Sequence, residues 1–158
     1  MNQPASSPAF LLAEDSEADV LFLKRAIEQT RTELPLVVVM DGQETIDYLS
    51  GQGVYSDRAR YPMPSVLLLD LKMPRKSGLE VLEWMKEARL ESPKVVVMTS
   101  SDQPGDVRRA YDLGAVAYIV KPASLGILRK IVVDLAAFWR NPGLGAEGVQ
   151  SWYIRSLP

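Results

Sequence analysis

V-L-L-L-D-L-K-M-P, residues 66–74, is the stretch whose reading decides the fold. Four apolar residues in a row, too few for a free-standing helix and closed off by a proline, read as a strand buried on both faces of a parallel sheet. Asp70 follows at the end of that strand. In an open α/β sheet ligands are met at the carboxyl ends of the strands, so this carboxylate is placed for chemistry. Asp is also a common turn residue, and position alone leaves that second reading open.

The neighbouring stretches decide between the two. Residues 10–13 are a short apolar strand ending in Glu14-Asp15-Ser16, and Ser16 can cap a helix with Asp19 three residues on. Val20, Leu23 and Ile27 then form a stripe at helical spacing. Residues 36–40 read as a second strand, and Asp41-Gly42 turns it into a helix near residues 44–49 that Gly51 ends. Residues 51–64 make a longer loop than a compact α/β unit requires, either a partner surface or solvated slack. Ser77 and Glu80 form a capping box that opens a helix with Leu79, Leu82 and Met85 toward the sheet. Residues 94–98 are a fourth strand that delivers Thr99, and Pro104 opens a helix showing Val107, Ala110 and Tyr111 on one face. The fifth strand, residues 116–120, ends in Lys121-Pro122, and a last helix runs from Ser124 to about Trp139.

Five nearly all-apolar strands alternating with five helices predict an α/β fold, a doubly wound parallel sheet covered on both faces. The expected organisation is a flexible N-terminus over residues 1–8, one domain over 9–140, and a tail or arm over 141–158. Trp152-Tyr153-Ile154 in that tail either pack on the domain or are mobile.

Composition narrows the chemistry. At 158 residues the chain is one domain's worth, and 47% hydrophobic with 24% charged residues is ordinary for a soluble globular protein. A net charge of -2 gives no reason to expect nucleic acid or a membrane surface as partner. Without cysteine there is no thiolate chemistry; without histidine there is no phosphohistidine carrier, no Ser-His-Asp triad and no imidazole ligand. No apolar run approaches the roughly 20 residues of a membrane span, and residues 1–8 lack the features of a leader, so the expected location is cytoplasmic.

A parallel sheet brings the ends of its strands to one edge, which gathers Glu14, Asp15, Asp70, Thr99 and Lys121. Three converging carboxylates repel one another unless a cation sits among them. A set of oxygens without imidazole or thiolate suits a hard ion, best Mg2+, on Glu14, Asp15 and Asp70, with the backbone carbonyl of Lys72 as a further ligand. Asp70 is then a candidate nucleophile that accepts a phosphoryl group as an acyl phosphate. Thr99 would offer its hydroxyl to one phosphoryl oxygen and Lys121 its charge to another.

The order E-D-S, L-L-L-D-L-K-M-P, V-V-V-M-T-S, Y-I-V-K-P resembles the receiver domain of bacterial two-component response regulators over about residues 10–139. The resemblance implies a flavodoxin-like sheet of strand order 2-1-3-4-5. It also implies that Asp70 takes phosphate from the phosphohistidine of a sensor histidine kinase, with Mg2+, and that Thr99 and Tyr118 report it. On that view Tyr118 turns inward into space that Thr99 vacates, and the surface of the fourth helix, fifth strand and fifth helix changes.

The long loop before the Asp70 strand and the short tail after Phe138-Trp139 are similar to the stand-alone regulators partnered with bacterial phytochromes. That likeness implies a bacteriophytochrome kinase as donor and a homodimer through the last helix and the C-terminal tail, although this tail departs from the group's pattern. Val133 and Ala137, off the stripe that faces the sheet, offer a second contact surface on that helix. Two other readings stand beside this one. A Mg2+-dependent phosphatase working through an aspartyl phosphate needs an acid two residues after the nucleophile, where this chain has Lys72. A scaffold that is never phosphorylated has no need of the strand-end set.

Overall fold

Each strand is four to six residues long and each is followed by a helix: β1 (Phe10–Ala13), α1 (Glu17–Thr30), β2 (Leu36–Val39), α2 (Gly42–Ser50), β3 (Val66–Leu69), α3 (Gly78–Glu87), β4 (Lys94–Thr99), α4 (Pro104–Asp112), β5 (Ala117–Val120) and α5 (Leu125–Arg140). The computed structural model describes residues 10–140, so the expectations for the two termini, including Trp152-Tyr153-Ile154, fall outside the described residues. All neighbouring strands are parallel, in the order β2-β1-β3-β4-β5. This is the doubly wound flavodoxin-like arrangement, and its order reverses at β1 and β3, the place where such sheets meet their ligands.

Alternate strand residues feed two cores, which is why the strands read as unbroken apolar runs. Phe10, Leu12, Leu68 and Ile119 pack under α1 and α5 with Leu23, Ile131 and Leu135. Leu11, Leu67, Leu69, Val97 and Tyr118 pack on the opposite face under α2, α3 and α4 with Leu49, Leu82 and Val107. Phe10, Leu11, Leu67, Leu68 and Leu69 are wholly buried, each a contribution of roughly 1.5–3 kcal/mol by transfer from water.

The helix ends follow local chemistry. Ser77 and Glu80 form a complete capping box, Ser77 Oγ accepting from the Glu80 N–H at 3.2 Å and Glu80 Oε2 from the Ser77 N–H at 2.7 Å. At α1 only half of the expected box forms. Ser16 Oγ accepts from the Asp19 N–H at 3.3 Å, but the Ser16 N–H goes to Glu14 Oε1 at 3.0 Å and leaves the Asp19 carboxylate for other work. β2 stops one residue earlier than its apolar run, because the Met40 N–H is taken by Glu44 Oε2 at 2.6 Å.

The long loop is neither slack nor separate from the domain. It contains a 3-10 turn at Gly53–Ser56, and the Arg58 guanidinium donates to the Tyr48 and Leu49 carbonyls in the last turn of α2 at 2.7 Å each. Tyr55 donates its hydroxyl to Glu44, and the rings of Tyr48, Tyr55 and Tyr61 pack tilted or edge-to-face with centroids within 6.1 Å of one another.

Two glycines let the loops at the site edge close up. A Cβ on Gly78 would stand 2.2 Å from the Asp70 carbonyl oxygen, and one on Gly42 would stand 2.0 Å from that of Lys76. Gly78→Ala is therefore expected to cost roughly 1–3 kcal/mol in urea denaturation, the usual penalty of overpacking. Gly105→Ala, with nothing within 4 Å of the new methyl, should be neutral or stabilising. Equal stability of the two variants would contradict the close approach.

Candidate functional site

Main-chain bonds run one residue past the strands and set the site. The Glu14 N–H donates to the Val39 carbonyl at 3.0 Å, the Asp70 N–H to Ala13 at 3.0 Å and the Lys121 N–H to Thr99 at 2.8 Å. Each residue's backbone is thus pinned by bonds that do not involve its side chain. Glu14, Asp70 and Thr99 are buried and Asp15 is exposed, so the cluster opens to solvent on the Asp15 side.

One carboxylate oxygen each from Glu14, Asp15 and Asp70 lie within 4.8 Å of one another. This oxygen-only set suits a hard divalent cation that keeps several waters. The acids are not alone: Lys121 Nζ lies 2.6 Å from Glu14 Oε2, 2.7 Å from Asp19 Oδ2 and 3.0 Å from Asp70 Oδ2. An ammonium has three protons, and here each meets a carboxylate. Burial opposes the charge on Lys121, yet the bonds from Asp19, Glu14 and Asp70 hold its pKa above the ordinary lysine value. Burial pushes the Glu14 carboxyl up, and the nearby charge of Asp70 adds to this, against the bonds from Lys121 and Ser16. Glu14 has both oxygens engaged, one by Ser16 and one by Lys121. Asp70 Oδ1 accepts the Lys72 N–H at 3.2 Å, which folds the β3–α3 turn back over the acceptor, while the Lys72 side chain is exposed.

Asp19 is the residue that sequence reasoning missed, having taken it for a helix cap.

Tyr118 is fully buried and donates its hydroxyl to the Ser101 carbonyl at 2.9 Å; burial raises its pKa. Thr99 is also fully buried, and its Oγ1 accepts from the Ser101 N–H at 3.5 Å. The two side chains therefore fit the interior together, and burial of Tyr118 does not require Thr99 to leave. Ser101 Oγ donates to Asp106 at 2.5 Å and so ties the β4–α4 loop to the first turn of α4. No helix among the described residues is long and apolar enough to cross a membrane.

Residues 10–133 match the response regulator receiver domain family. The response regulator Rcp1 of Synechocystis is 33% identical over 141 residues, covering 88% of this chain and 94% of the relative. Its Mn(2+)-bound form superposes with a TM-score of 0.72 at 34% identity, covering 84% of this chain and 94% of that one. The phosphorylated cyanobacterial phytochrome response regulator RcpA superposes with a TM-score of 0.76 at 33% identity, over 87% of this chain and 96% of that one. RPA3017, a response regulator in red light signaling of R. palustris, does so at 0.78 and 30% identity, over 94% of this chain and 99% of that one.

Lys121→Met strands buried Glu14 and Asp70 without a cation and should cost about 1–3 kcal/mol in metal-free urea denaturation. Adding millimolar MgCl2 should restore more stability to the variant than it adds to the wild type, because only the folded state offers the acid cluster. Undiminished stability of the variant would show that the triple contact carries no net energy.

Proposed function

The chain belongs to the response regulator receiver domain family, and on that premise we propose that it is a phosphoacceptor switch in a two-component relay, with Asp70 as the acceptor. The observation that supports this best is the setting of Asp70: buried at a strand end, with Oδ2 on Lys121 at 3.0 Å and a carboxylate oxygen within 4.8 Å of oxygens of Glu14 and Asp15. The Asp70 carboxylate attacks the phosphorus of a donor phosphohistidine. A P–O bond forms as the P–N bond breaks, and the leaving imidazole takes its proton from solvent. Glu14, Asp15, Asp70 and the Lys72 carbonyl would hold Mg2+, directly or through water, and the ion would supply neutralising charge to the phosphoryl oxygens. Lys121 holds one of those oxygens as a point charge and Thr99 donates its hydroxyl to another.

The readout passes through the β4–α4 loop. Thr99 and Tyr118 both bond to Ser101, on its N–H and its carbonyl, so a pull on Thr99 by the phosphoryl group is felt at the group that holds Tyr118. Likeness to Rcp1, RcpA and RPA3017 supports a bacteriophytochrome histidine kinase as donor, and a cytoplasmic protein. The chain catalyses only its own phosphorylation and dephosphorylation, since Lys72 stands where a phosphatase needs its second acid. A homodimer through α5 is supported by Val133, half exposed on a helix whose opposite face fills the core. The C-terminal tail, expected to share that contact, lies outside the described residues, and no nucleic acid takes part in the proposed role.

Incubation with acetyl phosphate and Mg2+ should add one alkali-labile phosphate to the intact mass, absent from Asp70→Asn and from a chelated sample. No adduct on the wild type under any condition would leave the scaffold reading in its place. In sedimentation at micromolar concentration the wild type should run as a dimer and Val133→Glu as a monomer. A wild-type monomer, with and without phosphate, would remove the dimer.

A further inference from the structure

Lys121 and a divalent cation claim the same two carboxylates. The ammonium sits 2.6 Å from Glu14 and 3.0 Å from Asp70, and these two acids, with Asp15, are the group whose oxygens converge. Like charges a few ångströms apart in a partly buried site repel strongly. A cation arriving on Glu14 and Asp70 therefore displaces the ammonium from both. Lys121 has a third partner that lies outside that group: Asp19, at 2.7 Å, on the first turn of α1. The Asp19 side chain is 45% exposed where that of Glu14 is 4% exposed, so an ammonium on Asp19 keeps part of its water. The half-formed cap at α1 leaves this carboxylate available, because Glu14 takes the Ser16 N–H that a full capping box would give to Asp19.

We propose that Asp19 is a positioning residue, the carboxylate that receives Lys121 when a divalent cation takes Glu14 and Asp70, and that thereby keeps the ammonium beside the acceptor. The exchange of partners lowers the energetic cost of metal binding, since one ion pair survives it. Without Asp19, Lys121 must cling to the metal's ligands or leave the site. Only the use made of the ammonium afterwards rests on the phosphoacceptor reading; the exchange itself is metal chemistry.

The test is a double-mutant cycle read by Mn2+ electron paramagnetic resonance, which counts free ion without any phosphoryl donor. Asp19→Asn should weaken Mn2+ binding by about three- to tenfold, the order expected of a charge-assisted contact. Asp19→Glu should recover much of that loss. In the Lys121→Met background Asp19→Asn should change little, because there is no ammonium left to receive. Glu17→Gln, the same loss of charge on the same helical turn, should leave Mn2+ affinity within about twofold. An equal effect of Asp19→Asn with and without Lys121, or no Mn2+ binding by the wild type, overturns the proposal. If the cycle shows coupling while acetyl phosphate leaves Asp70 unmodified, the partner exchange stands and the phosphoacceptor reading falls.

Discussion

A parallel sheet ends all its strands on one side, so whatever polar residues the strands carry past their apolar runs are delivered together. Here that constraint puts three carboxylates within 4.8 Å of one another on a largely buried floor. Such a cluster is unfavourable unless something positive shares it. Lys121, brought by the fifth strand's end and bonded through its own N–H to the Thr99 carbonyl, is that positive charge. The sheet topology creates the repulsion and also supplies its remedy.

The loops that close over this edge are held just as tightly. Asp41 caps α2 and receives Arg75 from the β3–α3 turn through two bonds, at 2.9 and 3.1 Å; burial pushes its carboxyl up, but that guanidinium and the Glu44 N–H together hold it below the usual range. Arg75 adopts φ of +61°, a backbone conformation that costs a non-glycine residue about 1–2 kcal/mol and that the surrounding contacts must offset. Glu44 in turn holds the Met40 N–H and the Tyr55 hydroxyl. A run of contacts thus extends from the long loop over α2 to the turn that follows Asp70.

Much of this was legible in the sequence because it is local. Apolar runs gave the strands, the Ser77-Glu80 pair gave a cap that forms as read, and Asp41 with Gly51 bounded α2. Glu14, Asp15, Asp70, Thr99 and Lys121 fall at strand ends, so a one-dimensional pattern was enough to place them on one edge. What the sequence hid depends on contacts between distant residues. The Lys121–Asp19 pair spans 102 positions, and nothing local says that Ser16 would turn to Glu14 and release Asp19. Arg58 reads as a loop cation until the end of α2 presents carbonyls for it to bind. The joint burial of Thr99 and Tyr118 is a matter of volume in the folded interior, which spacing does not reveal.

The site residues are anchored by their own amide groups, on the carbonyls of Val39, Ala13 and Thr99, and every side chain offers the same amide apart from proline. Position at this edge is consequently indifferent to identity. A lineage could exchange each acid or the lysine for something inert and keep the sheet, the two cores and the outer surfaces. Chemistry and shape are separately heritable in such an architecture, so a chain of this build can lose its reaction and still be recognised by whatever binds its exterior.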